Sequence, residues 1–246
     1  MHMRARMDTA MVIDHERAVQ NDGCAALQLT RLLQLASPAL PVGAFAWSEG
    51  LEFAVHRGWV NDESSARHWI LGVLANCVAR LDVPMFQCLH RAWRDDDEVA
   101  VREHSRWLLA CRESAELRAG DRQLGQALAR VLVELGETRA GAWRRDKDVS
   151  FAAMFALASA RWHIQARHAA IAMMWSWCEN MVASSIKLVP LGHSAGQRLL
   201  YEAGALLPEL CVAGFALERD CIAGGAPGLA MASAAHETQR TRLFRS

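Results

Sequence analysis

The sequence predicts an all-α protein, a single-domain irregular helical bundle of about eight to ten helices. Apolar residues recur at intervals of three and four along most of the chain, which is the spacing of amphipathic helices. No stretch shows the alternation and flanking turn residues of a β-strand, and no internal repeat appears. The chain has 246 residues, of which 52% are hydrophobic, so it can bury a large core. We expect the helical domain to cover residues 27–223.

Charge and cysteine content limit the compartment and the classes of partner. Lys plus Arg and Asp plus Glu each number 27, and this zero net charge argues against nucleic-acid binding through a basic field. The seven cysteines are widely spaced without a Cys-x-x-Cys motif, which favours a reduced, cytoplasmic compartment. The most apolar stretch, residues 169–191, contains Glu179, Asn180 and Lys187, which would be unfavourable in lipid. We therefore expect a soluble protein that binds neither nucleic acid nor membrane.

The chain is expected to begin with a stretch that lacks regular structure. Residues 1–26 are mixed polar and without a steady hydrophobic period, so they predict a flexible N-terminal arm. Residues 27–36 form a short helical pattern, which ends before Pro38 because a proline disfavours helical backbone in the residue that precedes it. Residues 39–43, ALPVG, predict a rigid turn.

The helix predicted after this turn contains an unusual glycine. Its pattern extends over residues 44–57, and Gly58 suits its C-terminal cap. Gly50 would lie inside this helix, at a cost of roughly 1 kcal/mol relative to alanine. The close approach of a second helix would justify that cost.

The clearest helical period in the chain covers residues 61–80, with Asn61 or Asp62 as the N-cap. Asp82 and Pro84 are expected to open a separate helix, since proline is tolerated in a first turn.

An acidic run and a polar loop separate the next helices. Residues 95–98, Asp-Asp-Asp-Glu, are expected in the N-terminal turn of a helix, where carboxylates interact favourably with the helix dipole. A further helix ends at Gly136. The polar loop 136–148 follows, and Asp148 or Ser150 is expected to cap the helix after it.

Residues 174–200 predict the end of one helix, a Pro-Leu-Gly joint and the start of another helix, capped by Ser194. On the first of these helices, a narrow polar strip lies opposite an apolar face. The strip is either the one solvated edge of a buried helix or a binding surface. It consists of Ser176, Glu179, Asn180, Ala183 and Lys187.

The C-terminal residues 224–246 predict a tail that binds a partner. A glycine-rich break is followed by a short apolar piece, then by three arginines and an apolar pair. Either this end is frayed, as chain termini often are, or it becomes ordered on a partner. In the second case the arginines would meet carboxylates, and Phe244 would fill a pocket. The arginines are Arg240, Arg242 and Arg245.

Searches for catalytic and metal-binding patterns find no coherent site. The sequence has no His-x-x-x-His, no phosphate-binding Gly-Lys-Ser/Thr and no nucleophile elbow. The alternative is an all-α magnesium-dependent transferase that uses the acidic run 95–98. That run lacks the aspartate spacing of such enzymes, because Val99 follows it. We therefore predict a binding scaffold that is not an enzyme and has no cofactor of its own.

Four stretches together resemble the F-type urease accessory proteins, the UreF family. Three of them carry distinctive motifs: the Pro-Val-Gly-Ala-Phe turn, the Lys-Leu-Val-Pro-Leu-Gly joint and the Arg-Leu-Phe-Arg-Ser end. The resemblance extends from residue 27 to the C-terminus and departs at Trp47, where the family more often has tyrosine. The stretches are ALPVGAFAWSEGLE (39–52), RESAELRAGDRQLG (112–125), WCENMVASSIKLVPLGHSAGQRLL (177–200) and HETQRTRLFRS (236–246).

The resemblance implies an all-α homodimer without catalytic activity. It also implies binding to a D- or H-type urease accessory protein and, through that complex, to the G-type GTPase and apo-urease. Nickel and GTP would be handled by these partners. We hypothesise that residues 229–246 become ordered on the D/H-type partner, and that Glu179, Asn180 and Lys187 contribute to a dimer or GTPase-facing surface. A helical regulator unrelated to urease is a further alternative.

Overall fold

The computed structural model describes residues 23–245, which form ten α-helices and no β-strand, as the sequence predicts. Short 3₁₀ helices occur at Ala44–Ala46, Thr138–Trp143 and Arg219–Cys221. The α-helices are 23–36 (α1), Leu51–His56 (α2), Glu63–Val73 (α3), Val83–Arg94 (α4), Glu98–Ala110 (α5), Ala115–Glu134 (α6), Phe151–Arg161 (α7), Ala166–Leu188 (α8), His193–Phe215 (α9) and Pro227–His236 (α10).

Helices α4 and α7 form the centre of the core, with α6 and α8 packed against them. Helix α7 is buried along almost its whole length, as expected for a helix that other helices enclose. The indole N–H of the buried Trp93 on α4 donates to the Ala153 carbonyl on α7 at 2.8 Å, so the polar atom of this large side chain has a partner. Outside this centre, α2 and α10 pack on each other around a smaller apolar cluster.

Helices α3 and α4 are joined without a break by a π-helical segment, Leu74–Asp82. Glu63–Arg94 is therefore one helix of 32 residues, and the prediction of two separate helices is wrong here. Pro84 does not interrupt this helix, because it lies in the first turn of α4, directly after the wider π-helical turns.

Glu63–Arg94 is also the one helix in residues 23–245 that is long and apolar enough, by composition, to cross a membrane. In the fold, 61% of its most apolar window is buried inside the protein. Such burial is typical of the core helix of a soluble protein, so the apolar composition needs no bilayer to explain it.

The region around Gly50 differs from the predicted helix 44–57. Helix α2 starts only at Leu51, and Gly50 precedes it with a φ of +81°, a conformation that favours glycine. A Cβ atom on Gly50 would lie 2.8 Å from the backbone nitrogen of Ser233 on α10. The close helix approach that would justify a glycine is thus present, but the glycine caps α2 and does not lie within it. Gly58, with a φ of +74°, follows the end of α2 as predicted.

Helix N-caps follow the predicted residue types with one exception. Asp62 accepts the Ser65 N–H at 2.7 Å, and Ser150 accepts the Ala153 N–H at 3.2 Å. The prediction of Ser194 as a cap is wrong, since the N-cap of α9 is Gly192, two residues earlier. The extended backbone of Gly192 ends the Pro-Leu-Gly joint, which places Ser194 inside the first turn.

The two ends of the domain are more helical than predicted. Residues 23–26 already belong to α1, so the arm predicted for residues 1–26 cannot extend that far. The remainder of that prediction, residues 1–22, lies outside the described residues. Near the other end, the apolar piece after the glycine-rich break is the regular helix α10, which packs on α2 and α6.

Candidate functional site

Residues 237–245, the C-terminal segment, lie back on the helical body. The backbone N–H groups of Leu243 and Phe244 donate to the Glu52 carboxylate at 2.6 and 3.0 Å. The Arg245 N–H donates to the Ala46 carbonyl at 2.8 Å. The Phe244 side chain is buried, with 5% of its surface exposed. The pocket of Phe244 therefore lies within the same chain, whereas the sequence predicted a pocket on a partner.

His236 at the end of α10 anchors the C-terminal segment from the other side. Its ring is fully buried between two helices. Nδ1 lies 2.9 Å from Oε2 of Glu116 on α6, and Nε2 lies 3.1 Å from Oε2 of Glu52 on α2. Burial alone would lower the pKa of His236, but hydrogen bonds to the two carboxylates and their charge raise it above its usual value. The same Glu52 carboxylate thus joins α10, α2 and the C-terminal segment.

The three C-terminal arginines have different surroundings. Arg242 is partly used by the fold, since its guanidinium donates to the carbonyls of Glu237 and Gln239 at 2.9 and 2.8 Å. It also lies 3.8 Å from the Glu116 carboxylate. Arg240 and Arg245 are exposed. All three arginines are thus exposed, but the Arg242 guanidinium is also bonded within the segment.

Exposed apolar side chains adjoin these arginines. Leu243 is 67% exposed although its neighbour Phe244 is buried. Phe45, in the turn whose Ala46 carbonyl binds the C-terminal segment, is 68% exposed. We call Phe45, Leu243, Arg240 and Arg245, together with Lys187, the C-terminal face.

The residues of the polar strip on α8 make different contacts. The Asn180 amide donates to the Trp47 carbonyl at 3.0 Å and so holds the turn before α2. Lys187 is exposed, and its Nζ lies 5.6 Å from the centre of the Phe244 ring, within the range of a cation–π contact. Glu179 is half-buried, and burial raises its pKa, while a hydrogen bond to Trp175 acts in the opposite direction. Asn180 therefore holds the turn that precedes α2, Lys187 contacts Phe244 at the C-terminal face, and Glu179 has no described contact with that face.

A cavity of about 120 Å³ lies beside this strip and is bordered by Glu49, Trp177 and Asn180. Glu49 accepts the indole N–H of Trp177 at 2.8 Å. Burial raises the pKa of Glu49 to about 7, although the bond to Trp177 acts in the opposite direction. Charged side chains also line the cavity, namely Asp82 of the π-helical segment, Arg112 before α6 and Asp121 on α6.

Those charged side chains form a largely buried cluster around Arg112. Its guanidinium donates to Asp121 at 2.9 Å through Nε and to Asp82 at 3.1 Å through Nη1. Asp121 also accepts the backbone N–H of Phe151 at 2.7 Å, at the start of α7. One guanidinium therefore connects the end of the π-helical segment with α6 and α7. Within residues 23–245 no group of three or more His, Cys, Asp or Glu could hold a metal ion.

The acidic run 95–98 has structural contacts. Asp97 accepts the Ala100 N–H at 2.9 Å and caps α5, and Asp96 pairs with Arg139. Of the run, only Glu98 lies in the first turn of α5, and Asp95 is the C-cap of α4. The prediction that the whole run lies in a helix N-terminal turn is therefore correct only at its end.

The sequence alone did not identify the residues that hold α10 and the C-terminal segment on the helical body. Glu52, Glu116 and His236 occupy buried positions, where charged groups are rare unless they are paired. A carboxylate in an otherwise apolar helical face is the signal that could have identified the two glutamates. All three lie inside the stretches that carry the family resemblance. The four stretches meet at this site: 39–52 supplies Glu52, 112–125 supplies Glu116, 177–200 supplies Lys187 and 236–246 supplies His236.

Comparison with known proteins tests this resemblance. The UreF family model matches residues 60–204. The chain is 50% identical over 216 residues to the urease accessory protein UreF of Alkalilimnicola ehrlichii. The aligned region covers 88% of this chain and 95% of that protein. It is 45% identical over 232 residues to UreF of Azoarcus sp., with 92% and 99% covered, and 42% identical over 221 residues to UreF 2 of Brucella anthropi, with 90% and 97% covered. The chain therefore belongs to the UreF family of urease accessory proteins, with a role in urease maturation.

Proposed function

We propose that this chain is a non-catalytic scaffold in the assembly of the nickel centre of urease. It joins a D- or H-type urease accessory protein and the G-type accessory GTPase to apo-urease for GTP-dependent nickel insertion. The chain acts in the cytoplasm as a homodimer, and its partners handle nickel and GTP. Membership of the UreF family supports the role in urease maturation. The docked C-terminal segment supports the assignment of the surface that contacts the partner.

The observation that carries this proposal is the composition of the C-terminal face. Phe45 and Leu243 are large apolar side chains in solvent, Arg240 and Arg245 are exposed cations of the same C-terminal segment, and Lys187 is an exposed cation that contacts Phe244 in that segment. Apolar residues together with arginine are typical of protein–protein interfaces. The positive charge fits a partner surface that contains carboxylates. We therefore assign this face to the D/H-type accessory protein.

The docked segment changes how this binding is expected to work. Because Phe244 and the Glu52 hydrogen bonds already hold residues 237–245, the partner meets an ordered surface. Binding then avoids part of the entropy loss that a flexible tail would bring. In this division of roles, Arg242 and Phe244 hold the segment, while Leu243, Arg240 and Arg245 contact the partner.

Leu243→Asp should weaken co-purification with the D/H-type protein by roughly 30-fold or more, as expected for a central interface residue. The substitution places a carboxylate in the apolar part of the face and leaves Phe244 buried. Urease activation should fall in parallel.

The matched control for this variant is Val99→Asp. Val99 is 69% exposed on α5, outside the C-terminal face. We expect this variant to bind the D/H-type protein and to activate urease like the unmodified chain. Equal binding by both variants would place the partner surface elsewhere on the molecule.

Lys187→Ala should lower urease activation while the melting temperature stays nearly unchanged. Lys187 is exposed, and a cation–π contact at such a site contributes only about 0.5–1 kcal/mol. Calorimetry of the purified variant and an activation assay separate the two effects. A clear loss of stability with normal partner binding would instead give Lys187 a purely structural role.

A further inference from the structure

The carboxylates around His236 are arranged for a ring that carries two protons. Both ring nitrogens lie within hydrogen-bond distance of a carboxylate, Nδ1 from Glu116 and Nε2 from Glu52. A neutral imidazole has one N–H and one lone pair, so it can donate to only one of them. In the neutral ring, a lone pair would face a carboxylate oxygen in an enclosed site, where such an arrangement is unfavourable. Only the imidazolium makes both bonds.

Other charged groups near the ring do not replace its positive charge. Glu237, the residue after His236, accepts the backbone N–H of Glu116 at 3.1 Å and adds a third carboxylate. Arg242 faces Glu116 at 3.8 Å and does not reach Glu52 within ion-pair distance. Loss of the His236 proton therefore leaves Arg242 as the cation beside Glu116, with no described cation paired to Glu52.

Glu52 connects the charge of the ring to the C-terminal segment. Its Oε2 faces both the His236 ring and the Phe244 N–H, and its Oε1 accepts the Leu243 N–H. A change in the ring thus acts on the carboxylate that binds the segment.

We propose that His236 is a pH-sensitive latch: the protonated ring fastens α10 to Glu52 on α2 and to Glu116 on α6, and loss of the proton releases α10 together with residues 237–245, which follow it. The packing of α10 against these carboxylates raises the pKa of the ring above the ordinary histidine value of about 6.5. This packing is therefore fully favoured below about pH 6.5 and weakens as pH rises through the raised pKa. The latch itself requires no partner protein. Its consequence, that alkaline pH disrupts the surface that binds the partner, rests on the proposed function.

The test is hydrogen exchange of the full-length chain without partners, measured by mass spectrometry between about pH 6 and pH 9 and corrected for intrinsic exchange rates. Protection of α10 and the C-terminal segment, residues 227–245, should fall as pH rises, by about tenfold for each unit by which the packing of α10 raises the pKa. Protection of Phe151–Arg161 in the core should stay constant. Constant protection of residues 237–245 over this range would overturn the latch.

Two variants distinguish the latch from general loosening. His236→Gln cannot be charged, so protection of the segment should be low and independent of pH. Glu116→Gln keeps the histidine but removes one carboxylate, so the midpoint of the loss should move to lower pH. The latch would be contradicted if protection in His236→Gln depended on pH as in the unmodified chain. It would also be contradicted if the pH midpoint of the loss of protection did not move in Glu116→Gln. Because no partner is present, failure here leaves the proposed partner surface untouched, and failure of co-purification leaves the latch untouched.

Discussion

Arg112→Ala is expected to lower the stability of the fold by about 3 kcal/mol or more, because it leaves two largely buried carboxylates without their shared cation. Asp82 and Asp121 have 13% and 7% of their side chains exposed, and both depend on this guanidinium. For a chain of this length the melting temperature should fall by roughly 10 °C. Thermal unfolding followed by circular dichroism measures the effect.

The matched control for Arg112 is Arg67→Ala. Arg67 also forms an ion pair, with Glu202, but both side chains are more than one-third exposed, so little change in melting temperature is expected. Adding Asp82→Asn to Arg112→Ala should recover part of the loss, since one of the stranded carboxylates then carries no charge. If Arg112→Ala melted like Arg67→Ala, the cluster would not organise the core.

Gly50→Ala should destabilise the fold and detach α10 together with the C-terminal segment. The added methyl group would lie 2.8 Å from the backbone nitrogen of Ser233 and 3.1 Å from its Cα, so backbone would have to move. Alanine at a φ of +81° adds strain of about 1–2 kcal/mol. We expect hydrogen exchange of residues 227–245 to accelerate and urease activation to be lost.

Gly58→Ala separates the two causes. Gly58 has a similar φ of +74°, but no atom lies within 4 Å of a Cβ placed there. This variant should show the backbone strain alone, with normal exchange in residues 227–245. Equal effects of the two substitutions on that region would mean that the contact between α2 and α10 does not hold the C-terminal segment.

Local features of this fold follow from the sequence, because neighbouring residues determine them. The period of residues 61–80, the cap at Asp62 and the turn at Gly58 all depend on interactions within a few residues. The predicted helix boundaries are wrong where tertiary packing determines where a helix begins or ends. Gly50 looked like a helix interior because α10, which explains the glycine, is far away in the chain.

The candidate site was predicted only in part, for the same reason. Phe244 and Arg242 are predicted to bind a partner, and that role stays a prediction. The pocket of Phe244 within the same chain and the carbonyl partners of Arg242 could not be inferred. His236 and Glu52 are separated by 184 residues, and no periodicity connects positions so distant. The pattern of arginines with one phenylalanine predicts a free tail, because the residues that form the pocket for the phenylalanine are distant in the sequence.

We expect the C-terminal segment to be held on the helical body before any partner binds. Hydrogen exchange of the isolated chain near pH 6.5, the ordinary histidine pKa, tests it most directly. The amides of Leu243 and Phe244, which donate to Glu52, should exchange about 100-fold more slowly than in an unstructured peptide, and Glu52→Ala should abolish that protection. Exchange of residues 237–245 at the rate of an unstructured peptide in the unmodified chain would contradict the account.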